Sequence, residues 1–183
     1  MKKLYFLITF LFLTTSYLSA QVDVVTFVEN PARILLDGND LYFAQSGSSG
    51  IVSKIDVTAT LPTTETDVVT GLNTAYGLYI SGTDLYIADL VGIYKKDLTT
   101  GVEAVGDITL VANIADGSDL AFNGGFLYYS NYGGGEILRV DITGSFPVTP
   151  ELVIDGLSGP TGIVFDGDIL YISNYDSTEL LKI

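Results

Sequence analysis

The chain has no cysteine, no histidine and no tryptophan, and only 8 lysines and arginines against 22 acidic residues. Without cysteine there is no disulfide framework, so packing alone must hold the fold. Without histidine the commonest metal ligand and the commonest general base are both missing, and Ser-His and Cys-His nucleophile pairs go with them. The scarcity of basic residues gives a formal net charge of −14, which repels nucleic acid and anionic lipid surfaces. Long apolar runs are also few. The main one, Leu4 to Leu13 in "MKKLYFLITFLFLTTSYLSA", is too short to span a bilayer comfortably. With Lys2 and Lys3 before it and Ser16, Ser19 and Ala20 after it, residues 1–20 read as a signal peptide cut before Gln21. The expected mature chain, residues 21–183, is a single exported domain, secreted or periplasmic, with no membrane insertion after signal cleavage.

What the sequence does have is a repeat. Leu-Tyr recurs at Leu41-Tyr42, Leu85-Tyr86, Leu127-Tyr128 and Leu170-Tyr171, a period of about 43 residues. Upstream of each lies a turn: Asp37-Gly38-Asn39-Asp40, Ser81-Gly82-Thr83-Asp84, Asn123-Gly124-Gly125 and Asp166-Gly167-Asp168. Glycine and Asp or Asn there supply the positive φ angles that tight hairpins require. A third strand follows as "IVSKIDV", "GIYKKDL", "EILRVDI" and "ELLKI", which puts Lys54, Lys95, Arg139 and Lys182 in one register. A fourth appears as "TDVVTGL", "ITLVANI" and "ELVIDGL". Short antiparallel strands at this period, with no helical periodicity, predict an all-β fold: a β-propeller of about four four-stranded blades. The pleat sends Tyr42, Tyr86, Tyr128 and Tyr171 to one face and Phe43, Ile87, Tyr129 and Ile172 to the other. Both faces are apolar, as a sheet between two neighbours requires.

The segment "DVVTFVEN", residues 23–30, resembles the fourth strands, whereas the last repeat carries only three. Two arrangements satisfy this: the amino-terminal segment closes a four-blade ring, or the chain forms part of a larger propeller. Two chains joining half-rings as a homodimer is one form of the second.

The phrase "LYYSNYGGGEILRVDITG" resembles the repeat of NHL and YWTD propellers, six-bladed proteins of the TolB-like superfamily, in which an "LYxxD" strand, a Gly-rich turn and an "I-x-[KR]-x" strand recur. The departures are the absent tryptophan and the Asp position, kept at Asp89 but replaced by Gln45, Asn131 and Asn174. The resemblance implies an extracytoplasmic recognition protein. The same superfamily includes calcium-dependent lactonases and esterases related to gluconolactonase, whose metal sits in the central channel. The equivalent positions here are Ala32, Tyr76, Ser118 and Thr161, so Asp119, one residue along, is the sole weak candidate for calcium. No catalytic residue is identified, and no cofactor is expected. Strand polarity gathers Tyr76, Asp119, Asn131, Tyr132, Thr161, Asn174 and Tyr175 around one mouth of the channel, Asn131 and Asn174 serving first as turn formers. The expected function is therefore a non-enzymatic binding module for a protein, peptide or glycan. The alternatives are a lactonase-type hydrolase and a propeller fragment without independent activity.

Overall fold

The computed structural model describes residues 22–25, 28–47 and 50–183; the signal-peptide segment 1–20 lies outside them. Four small antiparallel sheets stand in a ring, a four-blade β-propeller arrangement, with no helix among the described residues. The first blade holds β1 (Pro31–Asp37), β2 (Asp40–Gln45), β3 (Gly50–Asp56) and β4 (Thr66–Leu72). The second holds β5 (Ala75–Ser81), β6 (Asp84–Asp89), β7 (Gly92–Asp97) and β9 (Thr109–Asn113). The third holds β10 (Gly117–Asn123), β11 (Phe126–Asn131), β12 (Glu136–Asp141) and β13 (Glu151–Ile154). The fourth holds β14 (Pro160–Asp166), β15 (Ile169–Asn174) and β16 (Glu179–Lys182). Gly38, Gly82, Gly124 and Gly167 occupy the four hairpin turns at φ between 58° and 62°, the left-handed conformation that these turns demand.

Strand counts depart from a uniform four. A two-residue strand, β8 (Glu103–Ala104), leaves the second blade and pairs in parallel with β4 of the first. The fourth sheet has three strands among the described residues, and no described residue of segment 23–30 is in a strand. Val24 instead lies against the first blade, where Thr63 N donates to Val24 O at 3.0 Å.

The core is a series of blade-to-blade seams. Tyr42, Ala44 and Val52 of the first blade pack on Leu78, Leu85 and Ile87 of the second. Tyr86, Ala88 and Ile93 meet Leu120, Leu127 and Tyr129 of the third. Ala121 and Ile137 meet Ile163, Leu170 and Ile172 of the fourth. The tyrosines at 42 and 86 are thus packing residues, as their sequence register predicts. Tyr171 is not: it faces the seam between the fourth and first blades, which is unfilled, and it stays exposed.

In the first three blades the repeated basic residue makes a crosswise ion pair. Lys54 bridges Asp40 at 2.6 Å and Lys95 bridges Asp84 at 3.1 Å, while Arg139 binds Glu151 at 3.0 Å. Pairing with the aspartate two residues on, which the pleat also allows, does not occur. Asp56, Asp97 and Asp141 instead cap their own turns, each receiving the backbone N–H and hydroxyl of Thr58, Thr99 and Thr143. These hydroxyl bonds, then the amide bonds, hold all three carboxyls below the usual range.

Candidate functional site

Each inner strand begins with a break in register: Pro31 to Ile34, Ala75 to Gly77, Gly117 to Leu120 and Pro160 to Ile163. A bulge re-aims the residues inside it. Here the bulges turn Ala32, Tyr76, Ser118 and Thr161 toward a common channel, where they line a cavity of about 270 Å³. The next position along reads Arg33, Gly77, Asp119 and Gly162. Opposite blades carry the charges and intervening blades carry glycine, so the two long side chains meet across the channel.

Arg33 Nη1 lies 3.2 Å from Asp119 Oδ2. That oxygen also accepts from Ile163 N at 3.1 Å, and Oδ1 accepts from Leu120 N at 2.9 Å. Burial pushes the Asp119 carboxyl up; Arg33, then the two amides, pull it back without cancelling the effect. A hard divalent ion requires six or more oxygens and would have to displace a guanidinium here. No group of three or more acidic residues converges anywhere among the described residues. The Arg33 Nε atom is buried and has no hydrogen-bond partner among them. Arg33 was the residue missed from sequence; aligning the four bulges would have exposed it.

The mouth lies where each second strand ends. Asp89 accepts from Asn73 N at 3.0 Å and Thr74 N at 2.7 Å, Asn174 Oδ1 from Ser158 N at 2.7 Å, and Gln45 Oε1 from Glu29 N at 3.1 Å. This repeated position therefore pins the incoming inter-blade link. Asn131 closes its own turn, through Gly134 N and Glu136. Asn131 and Asn174 are both buried, and their polar atoms are occupied by the fold.

One residue further along, a backbone bond to the inter-blade link pins the main chain in three of the four blades. Ser46 N donates to Asn30 O, Tyr132 N to Asp116 O and Tyr175 N to Gly159 O, at 2.9–3.1 Å. Asn30, Asp116 and Gly159 all have positive φ, at 46°, 47° and 63°, which Asn, Asp and Gly tolerate best. Tyr132 and Tyr175 project outward and are exposed, as is Tyr76. Tyr132 donates its hydroxyl to Asp176 Oδ1 at 3.2 Å, and that bond raises the phenol above its usual range. A Cβ on Gly159 would strike both the Tyr132 ring and the Asp176 carboxylate, so glycine is what lets the two meet. Tyr76, Asp116 and Tyr132 line a cavity of about 430 Å³ between the second and third blades. The structure thus gathers Tyr76, Asp119 and Thr161 in the channel and Tyr76 and Tyr132 at its mouth, with Tyr175 on the rim.

Two solved structures share the architecture. A chain in the crystal structure of a nidogen/laminin complex superposes with a TM-score of 0.55 at 15% identity, covering 64% of this chain and 45% of that one. This chain therefore spans less than half of its length. The computationally designed Ika4 protein superposes with a TM-score of 0.59 at 13% identity, covering 88% of this chain and 96% of that one. At such identities the likeness shows the fold alone. No protein-family model and no curated protein sequence matches the chain.

Proposed function

We propose that this protein is an exported, NHL- or YWTD-like propeller that binds a protein, peptide or glycan through its tyrosine-lined mouth. The observation that carries the reading is the variation at one pinned position. Ser46, Leu90, Tyr132 and Tyr175 follow the repeated Gln, Asp or Asn, and the backbone bonds fix the main chain there. The main chain carries the folding duty there, so the side chain is open to variation, and exposed aromatics on a rigid scaffold are the usual material of recognition. Asp116 and Asp176 beside the tyrosines suit a partner rich in hydrogen-bond donors, such as a sugar or a basic peptide. The segment of residues 1–20 supports export. One similar structure is a nidogen/laminin complex, which accords with an interaction role. The strongly acidic balance argues against nucleic acid as partner. No observation favours the lactonase reading over this one.

The test is capture on peptide and glycan arrays by the mature chain, followed by Tyr132→Ala and Tyr175→Ala. Both substitutions should weaken capture about tenfold or more, as loss of an aromatic anchor does, and leave the urea midpoint nearly unchanged. Unchanged capture, or a large loss of stability, assigns these tyrosines to packing instead.

A further inference from the structure

Among the described residues, the fourth blade has no neighbour on a face built to have one. Leu180 of β16 sits at the repeat position held by Val52, Ile93 and Ile137, since all four pair with the Ala or Ser at 44, 88, 130 or 173. The first three are 0% exposed and Leu180 is 86% exposed. Val164 and Tyr171 are exposed on the same face. The opposite end of the arc shows the complement. Ile34 is 64% exposed, whereas its counterparts Leu78, Leu120 and Ile163 are 1%, 2% and 4% exposed. Leu36 is exposed beside it. The chain therefore displays, unfilled, both halves of the seam it builds three times internally.

The missing strand tells the same story independently. Val105 N donates to Thr70 O at 2.9 Å and Val148 N to Val111 O at 2.8 Å. In both cases the acceptor lies on the fourth strand of the preceding blade. Thr63 N makes the corresponding bond, at 3.0 Å, to Val24 O. Val24 therefore lies where the fourth strand of a preceding blade would run. At the other end, β16 has no outer partner among the described residues. Among the described residues, one end holds a three-stranded sheet, and the other holds Val24 at a fourth-strand position with no sheet beside it.

We infer that a second copy of this chain fills the seam, its fourth blade seated on Ile34 and Leu36 and its β16 edge running beside the segment around Val24. Another copy fits because Leu180, Val164 and Tyr171 on one side and Ile34 and Leu36 on the other, all exposed, hold positions whose counterparts meet in the internal seams. Exchanged head to tail in both directions, two chains make an eight-blade ring, within the range that propellers adopt; to admit its partner each chain widens the cleft between its own first and fourth blades. The two seams are related by a two-fold axis, so the interface is isologous and the assembly closed. The cleft of about 420 Å³ that Arg33 shares with Tyr171 and Leu180 becomes interior, and the open edge is removed.

Light scattering on the eluting mature chain should give twice the monomer mass. Leu180→Asp and Ile34→Asp should each yield monomers with an unaltered strand signal in circular dichroism, because each alters only a residue that a single chain leaves exposed. Mixing the two variants should restore dimer, since one sound seam can form between the intact fourth blade of I34D and the intact first blade of L180D. A monomeric wild-type chain overturns the inference, as does an assembly that survives either substitution. A mixture that stays monomeric overturns the head-to-tail geometry.

Discussion

At the scale of single residues, the channel carboxylate is the group whose protonation the fold most clearly contests. Burial raises the folded-state pKa of Asp119 despite Arg33. A carboxyl that binds its proton more tightly when folded favours the folded state at low pH, and this contribution fades as pH rises through the raised value. Asp56, Asp97 and Asp141 work in the opposite sense. Their lowered values stabilise above the unfolded pKa, and that stabilisation is lost on acidification. Asp119→Asn should isolate the first effect. The difference in urea midpoint between the variant and the wild-type protein should move in the variant's favour as pH rises from about 4, the ordinary carboxyl value. A difference independent of pH would mean that the folded-state pKa is not raised. Asp119 itself was legible in the sequence as the residue replacing a glycine. Its partner was not, because Arg33 acquires meaning only when opposite blades face each other across one axis.

At the scale of elements, β8 shows how one blade fastens another. The loop between β7 and β9 reaches back to β4, and Lys96 holds it: Nζ lies 2.7 Å from Glu103 Oε2 and 2.9 Å from Asp97 O, with Thr100 Oγ1 also in contact. The Lys96 side chain is fully enclosed, whereas Glu103 keeps access to water. Removing either partner is therefore not equivalent. Glu103→Gln strands an enclosed ammonium and should cost about 3 kcal/mol or more. Lys96→Met leaves a carboxylate that water can solvate, and should change stability by about 1 kcal/mol or less in chemical denaturation. Equal losses would show that the loop is held by its backbone alone. The hairpins and third strands were readable because local turn chemistry and a period of two encode them. The strap was not, since "TTGVEA" carries no strand pattern and pairs only because the preceding blade offers β4 as an edge.

At the scale of the whole molecule, equivalent tyrosines experience different surroundings according to their place in the arc. Tyr86 is buried between the second and third blades, and Tyr171 faces the unfilled seam. In an I34D background, where the seam stays unoccupied, Tyr86→Ala should cost about 3–5 kcal/mol and Tyr171→Ala about 0.5 kcal/mol or less. Similar losses would mean that the fourth blade packs as the others do. The repeat determined a good deal by itself: strand order within each blade, the positive-φ glycines, the two apolar faces and the residues at the start of each inner strand. These follow from local rules, in which turn type and alternation act over a few neighbouring residues. Tertiary structure alone decided that Arg33 meets Asp119, that Val24 lies beside the first blade, and that one seam in four is left unfilled. Those outcomes depend on the angle between successive sheets, a quantity that accumulates around the ring and that no single repeat encodes.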